Sequence, residues 1–159
     1  MKKKYHLLIW PFIAVVVLDQ ISKAAVIKTI EIHGSVSVIH GFFQMVHVRN
    51  RGMAFGLMNR ADSRIGPYLL AAASIVTIVL LIYWFMRRKD HGHAITLALS
   101  LILGGAVGNL IDRVRFNEVV DFLDFYIGSY HWPAFNIADA TITAGTFLLA
   151  FCILFQKKE

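Results

Sequence analysis

Two long uncharged stretches most constrain what this chain can fold into. They are residues 65–86, IGPYLLAAASIVTIVLLIYWFM, and residues 94–111, AITLALSLILGGAVGNLI, with 22 and 18 positions free of charge. An α-helix rises about 1.5 Å per residue, so roughly 20 apolar residues cross the hydrocarbon core of a bilayer. Hydrophobic residues make up 57% of the chain and charged residues only 16%, which is typical of a membrane protein.

Two less regular stretches predict two further membrane helices. The first is apolar up to Leu18 and then becomes polar, and the second is uncharged apart from Asp139 near its start. The lysine-rich N-terminus also fits a secretory signal peptide, but no small-residue cleavage site follows its apolar core, which favours a retained helix. We expect an all-α integral membrane protein, one domain of residues 1–159, with four transmembrane helices at about 7–27, 65–86, 94–111 and 137–155.

The first of the two longer connections predicts a small extracytoplasmic cap that is rich in β-structure, with the second as a loop beside it. Segment 28–64 contains FFQMVHVRN, whose loose period-two alternation indicates strands, and the loop 112–134 contains aromatic residues that suit the membrane interface. Lys and Arg number eight in the 17 residues of the short segments and seven in the 60 of the connections. By the positive-inside rule, both termini are therefore expected in the cytoplasm. Cationic flanks against anionic lipid then explain the net charge of +6 without nucleic acid.

Polar side chains gather at the helix ends that lead to these connections. They are Asp19, Lys23, Asn50, Asn109, Asp112, Arg113, Asp121, Asp124, Asn136 and Asp139. Ionisable groups at membrane depth are costly, so by default they indicate a functional site. The alternative for Asp139 is a helix cap, because carboxylates are favoured at helix N-termini.

Asp121 and Asp139 both lie among apolar residues, in VVDF and FNIAD. Two carboxylates close together in such surroundings cannot both ionise, so one keeps a proton while the other can deprotonate a water. This is the arrangement of an aspartyl hydrolase. Asp124 stays open as an alternative partner, although its DFY context is more typical of the membrane interface.

The remaining charges suggest structural pairs. Asp19 and Lys23 are spaced i, i+4 and can pair on one helix face. Asp112 and Arg113 are expected to form an ion pair at the end of the third helix. Asn117 stands next to this end, in RVRFNEVV, where it can adopt left-handed turn geometry.

Other chemistries find little support in the sequence. His91 and His93 lie in a short loop without further ligands, so we expect no metal and no cofactor. Ser22 and Lys23 are adjacent and point to different helix faces, which is poor geometry for a Ser–Lys dyad. Cys152 is single and deep in the last apolar stretch, where it can form no internal disulfide.

Five motifs, in this order, resemble those of the bacterial lipoprotein signal peptidases, also called signal peptidase II. They are DQISK at 19–23, VRNRGMAFG at 48–56, GNLIDR at 108–113, VVDF at 119–122 and FNIAD at 135–139. The resemblance spans essentially the whole chain. It implies a membrane aspartyl endopeptidase that removes the signal peptide from prolipoproteins, cutting before a cysteine that carries diacylglycerol.

The resemblance also implies roles for particular residues. Asp121 and Asp139 would be the catalytic dyad. The residues that surround the dyad, bind substrate or support the site would be Asn50, Gly52, Asn109, Arg113, Asn136, Asp19, Lys23 and Asp112. Many relatives carry glycine where this chain has Asn117. The family resides among the lipids of the bacterial cytoplasmic (inner) membrane, with its active site on the extracytoplasmic face, and the antibiotic globomycin inhibits it. We expect a monomer, because one chain can supply the whole site.

Two other classes of protein remain alternatives. A small proton-coupled transporter or channel component would also place Asp, Lys and Arg in its membrane part, but spread over the depth of the bilayer. A structural subunit could use the pairs Asp19–Lys23 and Asp112–Arg113 for assembly. That interpretation leaves FNIAD without a role.

Overall fold

The computed structural model describes residues 2–52, 66–87 and 92–155. His91 and the end of the second motif, MAFG at 53–56, lie outside the described residues. In chain order the elements are α1 (Lys2–Thr29), β1 (Ser35–Ile39), β2 (Phe43–Asn50), α2 (Gly66–Arg87), α3 (His93–Phe116), β3 (Val119–Ile127), β4 (Tyr130–His131) and α4 (Ile137–Phe155).

Within these ranges four helices are long and apolar enough to cross a membrane. Only α3 is mostly buried, whereas α1, α2 and α4 expose apolar side chains such as Leu80, Phe147 and Leu154. Helices that are hydrophobic on all sides are stable only where lipid or protein covers them. The predicted fold class, four transmembrane helices with a small β-rich cap, is confirmed.

Glycines let α3 occupy the centre of the bundle. A Cβ on Gly104 would lie 2.8 Å from the Cβ of Val15 in α1, and one on Gly108 would lie 2.6 Å from Oδ2 of Asp19. A Cβ on Gly105 would collide with the carbonyl oxygen of Ala138 in α4. Small residues allow membrane helices to approach closely where side chains would hold them apart. The sequence GGAVG in α3 therefore lets α1 and α4 pack closely against α3 near the polar end of the bundle.

Four antiparallel strands in the order β1-β2-β3-β4 form the cap. The sequence indicated strands only in the 28–64 segment, whereas the longest strand is β3, from the 112–134 loop. VVDFLDFYI is rich in β-branched and aromatic residues, a composition from which this strand could have been predicted. Val120 and Phe122 of β3 pack on Val26 and Ile30 at the end of α1, which fixes the sheet against the helices.

The end of α3 continues beyond the predicted apolar stretch to Phe116. Asn117 then takes a left-handed conformation, with φ 57°, and its N–H donates to the carbonyl oxygen of Arg113. The expected left-handed turn at Asn117 is confirmed. It directs the chain into β3 within three residues, which places Asp112 and Arg113 beside the start of the strand.

Replacing Gly105 by Ala tests the close approach of α3 and α4. The added methyl group would meet the Ala138 carbonyl oxygen, Cγ1 of Ile142 and Oγ1 of Thr141. Overpacking typically costs about 1–3 kcal/mol, so we expect the melting temperature in detergent to fall by several degrees. Thr77→Ala, at an exposed position of α2, is the control and should melt as the wild type does. A Gly105→Ala variant of unchanged melting temperature would contradict the packing described.

Candidate active site

Strand β3 presents Asp121 to the side of the sheet that faces away from the α1 contact. Side chains alternate along a strand, so Val120 and Phe122 point to the end of α1 while Asp121 points to the other face, where residues of α3 and α4 line the pocket. The Asp121 side chain is nonetheless buried, with 2% of its surface exposed. A carboxylate in this position needs hydrogen-bond donors, because burial without partners is costly.

The N-terminus of α4 holds Asp139 in a reciprocal cap. The Asp139 N–H donates to Oδ1 of Asn136 at 2.9 Å, and the Asn136 N–H donates to Oδ2 of Asp139 at 3.3 Å. This is a capping box in which Asn and Asp take the usual places of Ser and Glu. Asp139 therefore does cap the N-terminus of α4, as the alternative interpretation expected. Capping accounts for one carboxylate oxygen, while Oδ1 accepts a 2.8 Å hydrogen bond from Nδ2 of Asn109.

A single residue, Asn136, bonds both candidate carboxylates, Asp139 through its backbone N–H and Asp121 through its side chain. Its Oδ1 is occupied by the Asp139 N–H, and its Nδ2 donates to Oδ1 of Asp121 at 2.7 Å. The same Nδ2 also lies 3.2 Å from Oδ1 of Asn109 and 3.3 Å from the Val120 carbonyl oxygen. Asn136 is fully buried, so the contact between the two carboxylate-bearing elements is shielded from water.

Asn50, the last residue of β2, supplies the second donor to Asp121. Its Oδ1 accepts the Gly52 N–H at 2.9 Å, and its Nδ2 donates to Oδ2 of Asp121 at 2.9 Å. A backbone N–H can only donate, so this bond fixes which end of the Asn50 amide faces the carboxylate. Gly52 thus acts through the orientation of Asn50.

Asn109 of α3 is oriented in the same way by Lys23. The Lys23 ammonium donates to Oδ1 of Asn109 at 2.9 Å, which leaves Nδ2 to donate to Asp139. Lys23 also forms ion pairs with Oδ2 of Asp19 at 2.9 Å and with Oδ2 of Asp112 at 3.0 Å. The predicted pair of Asp19 and Lys23 is confirmed. Asp112, however, pairs with Lys23, where the sequence suggested its neighbour Arg113; adjacent helical residues do not face each other.

The two carboxylates beside Lys23 also bind backbone groups. Oδ1 of Asp19 accepts the Ala138 N–H of α4 at 3.0 Å, and Oδ2 of Asp112 accepts the Val120 N–H of β3 at 3.1 Å. Gln20, which sequence reasoning did not select, donates to Oδ1 of Asp112 at 3.0 Å and lies 3.2 Å from Oδ2 of Asp19. Its position next to Asp19 in DQISK could have identified it as a neighbour of the site.

Burial is the main cause of an altered titration at Asp121. Burial first, and then the negative charge of Asp139, raise the pKa of the Asp121 carboxyl to about 7, against hydrogen bonds from Asn50 and Asn136 and the more distant charge of Lys23. A carboxyl with such a pKa keeps a proton near neutral pH, which suits it to proton transfer.

The two carboxylates border an open pocket of about 540 Å³. Six of the predicted site residues line it: Asn50, Gly52, Asn109, Arg113, Asp121 and Asp139. The other four, Asp19, Lys23, Asp112 and Asn136, are buried behind them. The sequence did not predict the apolar part of the lining, which comprises Val119, Trp132, Pro133, Ala134, Phe135, Ala140, Ile142, Thr143 and Ala144.

Asp124 is not part of this pocket lining. It lies three residues beyond Asp121 on β3, an odd spacing that turns it to the opposite face. Its Oδ2 accepts hydrogen bonds from Nε2 of Gln44 at 2.6 Å and from Nδ1 of His131 at 2.8 Å. These contacts favour Asp121 over Asp124 as the partner of Asp139.

Comparisons with known proteins point to one family. A family model described as signal peptidase (SPase) II matches residues 11–155. The lipoprotein signal peptidase of Nitratidesulfovibrio vulgaris is 44% identical over 97% of this chain and 92% of its own length. That of Desulforapulum autotrophicum is 42% identical over 90% and 88%. Two solved structures, each described as a bacterial membrane enzyme, are also similar. The first has a TM-score of 0.81 at 35% identity, and the match covers 95% of this chain and 91% of that one. The second has a TM-score of 0.82 at 32% identity, with 94% and 93% covered.

The matched region extends from Pro11, within α1, to Phe155, the last residue of α4, and so includes both carboxylates and every described residue that hydrogen-bonds to them. With its four apolar helices, this multi-pass membrane protein belongs to the signal peptidase II family of peptidases.

Proposed function

We propose that this chain is an aspartyl endopeptidase that removes the signal peptide from prolipoproteins, cutting before a cysteine that carries diacylglycerol. The bonds of one buried residue, Asn136, to both carboxylates carry the proposal, because they place an acid and a base together: its side chain donates to Asp121 and its backbone N–H donates to Asp139. Relatives that are 42–44% identical bear the name lipoprotein signal peptidase, which supports the substrate class.

The chemistry requires one carboxylate to be ionised and the other protonated. We assign the proton at rest to Asp121, whose pKa is raised to about 7. Asp139, in the first turn of α4, sits where the partial positive charge of the helix N-terminus favours an anion. Asp139 takes a proton from the attacking water, and Asp121 donates its proton to the carbonyl oxygen of the scissile peptide bond. The resulting tetrahedral intermediate collapses as Asp139 gives its proton to the leaving peptide nitrogen and Asp121 takes one back from a hydroxyl of the intermediate, which restores both carboxyl groups.

The groups around the dyad bind substrate or hold the carboxylates. Arg113 lines the pocket, close enough to Asp121 and Asp139 to interact with both charges, so it can also bind a carbonyl oxygen of the peptide. Asn50 and Asn109 each hold one carboxylate through a side-chain N–H. The apolar part of the lining suits acyl chains and the apolar signal segment of the substrate.

The position of the dyad along the helices fits a substrate anchored by lipid. Asp139 is the third residue of α4, and Asp121 lies in the sheet just beyond α3. A diacylglyceryl group holds the scissile bond near the membrane surface, so the carboxylates must act at that depth. In the sequence, the middle parts of α2, α3 and α4 carry no charged side chain. A transporter would be expected to distribute ionisable groups along its path, which weighs against that alternative.

We place both termini in the cytoplasm and the cap on the extracytoplasmic face of the inner membrane, because Lys and Arg are denser in the short segments. In a Cys152→Ser background, His40→Cys in the turn between β1 and β2 should react with a membrane-impermeant maleimide in intact cells. Glu159→Cys should react only after lysis. The reverse labelling pattern would contradict the orientation.

Removing either carboxylate should abolish cleavage. We expect Asp139→Asn and Asp121→Asn to reduce turnover of a diacylglyceryl-modified prolipoprotein at least about a thousandfold, since each removes a group that transfers protons. Asp139→Asn places its NH₂ against the backbone N–H of Asn136, the longer of its two bonds at 3.3 Å, so its melting temperature should fall only slightly. Asp121→Asn places an NH₂ against a donor from Asn50 or Asn136, so its melting temperature should fall.

Three controls make this assay decisive. Glu31→Gln, the same kind of change at an exposed acid, should cleave at the wild-type rate. Globomycin should block the wild type. Mixing the two inactive variants should restore nothing, because we propose that a monomer supplies both carboxylates. Cleavage at near wild-type rate by folded Asp121→Asn or Asp139→Asn would refute the dyad.

The rate of cleavage should fall as pH rises through about 7, the value to which the Asp121 pKa is raised. Below that pH Asp121 keeps its proton in the folded enzyme, and above it both carboxylates are ionised and the acid is lost. The folded state binds this proton more tightly than the unfolded chain, so the same group also lowers the free energy of unfolding as pH rises from 3.8 to about 7. A pH profile of kcat/KM, with the folded fraction checked at each pH, measures this fall in rate. A rate that climbs steadily from pH 7 to 9 would contradict the assignment.

A further inference from the structure

Asp124 is a buried carboxylate for which the proposed chemistry has no use. It is 6% exposed and lies in the middle of β3. Gln44 stands directly opposite it on β2, and His131 lies diagonally across on β4, where it pairs with Tyr126. Nε2 of Gln44 and Nδ1 of His131 both bind Oδ2 of Asp124, at 2.6 and 2.8 Å. The carboxylate thus connects three neighbouring strands on one face of the sheet.

His131 makes contacts on two sides although nearly half of its side chain is exposed. Its ring stacks on that of Tyr126, with centroids 4.9 Å apart and planes inclined by 9°. Its Nδ1 lies against both oxygens of Asp124, at 3.1 and 2.8 Å. The hydrogen bond holds one ring nitrogen and the stacking holds one ring face, so together they define the orientation of this side chain.

The four residues after His131 form one wall of the pocket. They are Trp132, Pro133, Ala134 and Phe135. The Trp132 N–H donates to the Phe125 carbonyl oxygen at 2.8 Å, which attaches the start of the wall to β3. At its end, the Phe135 N–H donates to the Leu123 carbonyl oxygen at 3.1 Å, and the Leu123 N–H donates back at 2.8 Å. The wall therefore begins at the residue next to His131 and ends at the residue before Asn136.

We propose that Asp124 and His131 are a positioning pair that sets the start of this wall, and hence its fit to bound substrate. The proposal rests on the peptidase function proposed above. Neither residue lines the pocket, so each acts through the wall. The end of the wall is fixed separately by the Phe135–Leu123 bonds, and Asn136 has its own bonds to both carboxylates. Loss of the pair should thus weaken substrate binding and leave the dyad in place.

Two substitutions at His131 separate its two contacts. His131→Phe keeps a ring to stack on Tyr126 and removes the donor to Asp124. His131→Asn loses the ring but places an N–H donor at the position of Nδ1. We expect His131→Phe to raise KM for the lipid-modified prolipoprotein about three- to tenfold, the range that loss of one hydrogen bond covers, with kcat within about twofold. His131→Asn should return KM to within about twofold of the wild type.

His40→Phe is the matched control, because His40 is an exposed histidine in the turn between β1 and β2. It should leave both constants unchanged. Melting temperatures are measured throughout, and His131→Leu repeats the test if the Phe variant does not fold. An unchanged KM in folded His131→Phe, a loss of kcat alone, or an impaired His131→Asn beside a normal His131→Phe would each overturn the pair. Absence of cleavage by the wild type would overturn the proposed function itself, and the positioning role with it.

Discussion

The buried ammonium of Lys23 between two carboxylates is the interaction on which the rest of the site depends. Lys23, Asp19 and Asp112 are at most 2% exposed, and removal of one partner from such a buried group typically costs about 3–5 kcal/mol. The carboxylates use further oxygen lone pairs on the backbone N–H groups of Ala138 and Val120. The charged centre therefore joins α1 and α3 to the first turn of α4 and to the start of β3, the two places that carry the candidate dyad.

Lys23 also orients one of the three amides around the candidate dyad, and backbone N–H groups orient the other two in the same way. Each of the three asparagines has its oxygen occupied by a group that can only donate: the Lys23 ammonium for Asn109, the Asp139 N–H for Asn136, and the Gly52 N–H for Asn50. Their NH₂ groups must then face the carboxylates. The donors are in place before substrate arrives, which is how a buried polar site avoids reorganisation during the reaction.

Much of this arrangement could be predicted from the sequence, and the reasons for the misses are specific. Uncharged stretches of 22 and 18 residues favour membrane helices over any other structure, and nine of the ten selected polar residues lie in or directly behind one pocket, Asp124 being the exception. The strand β3 was missed because its partner, β2, is separated from it by two helices, and a lone apolar segment does not reveal a distant partner. The Asp112–Lys23 pair was missed for the same reason: short spacing suggested Arg113, whereas the close approach of α1 and α3 at Gly108 decides the contact.

Helix capping and catalysis were alternative roles for Asp139 when the sequence was considered alone. In the structure the two roles are compatible, because the two oxygens of the carboxylate bond different groups: Oδ2 accepts the backbone N–H of Asn136 and Oδ1 accepts the side-chain amide of Asn109. Capping fixes the rotamer of Asp139 relative to α4, and Asn136, the capping partner, reaches Asp121 with its other end. The helix start thus sets the relative position of the two carboxylates. A carboxylate at the entrance of a membrane helix is costly, and here the same hydrogen bonds that reduce this cost also hold Asp139 beside Asp121.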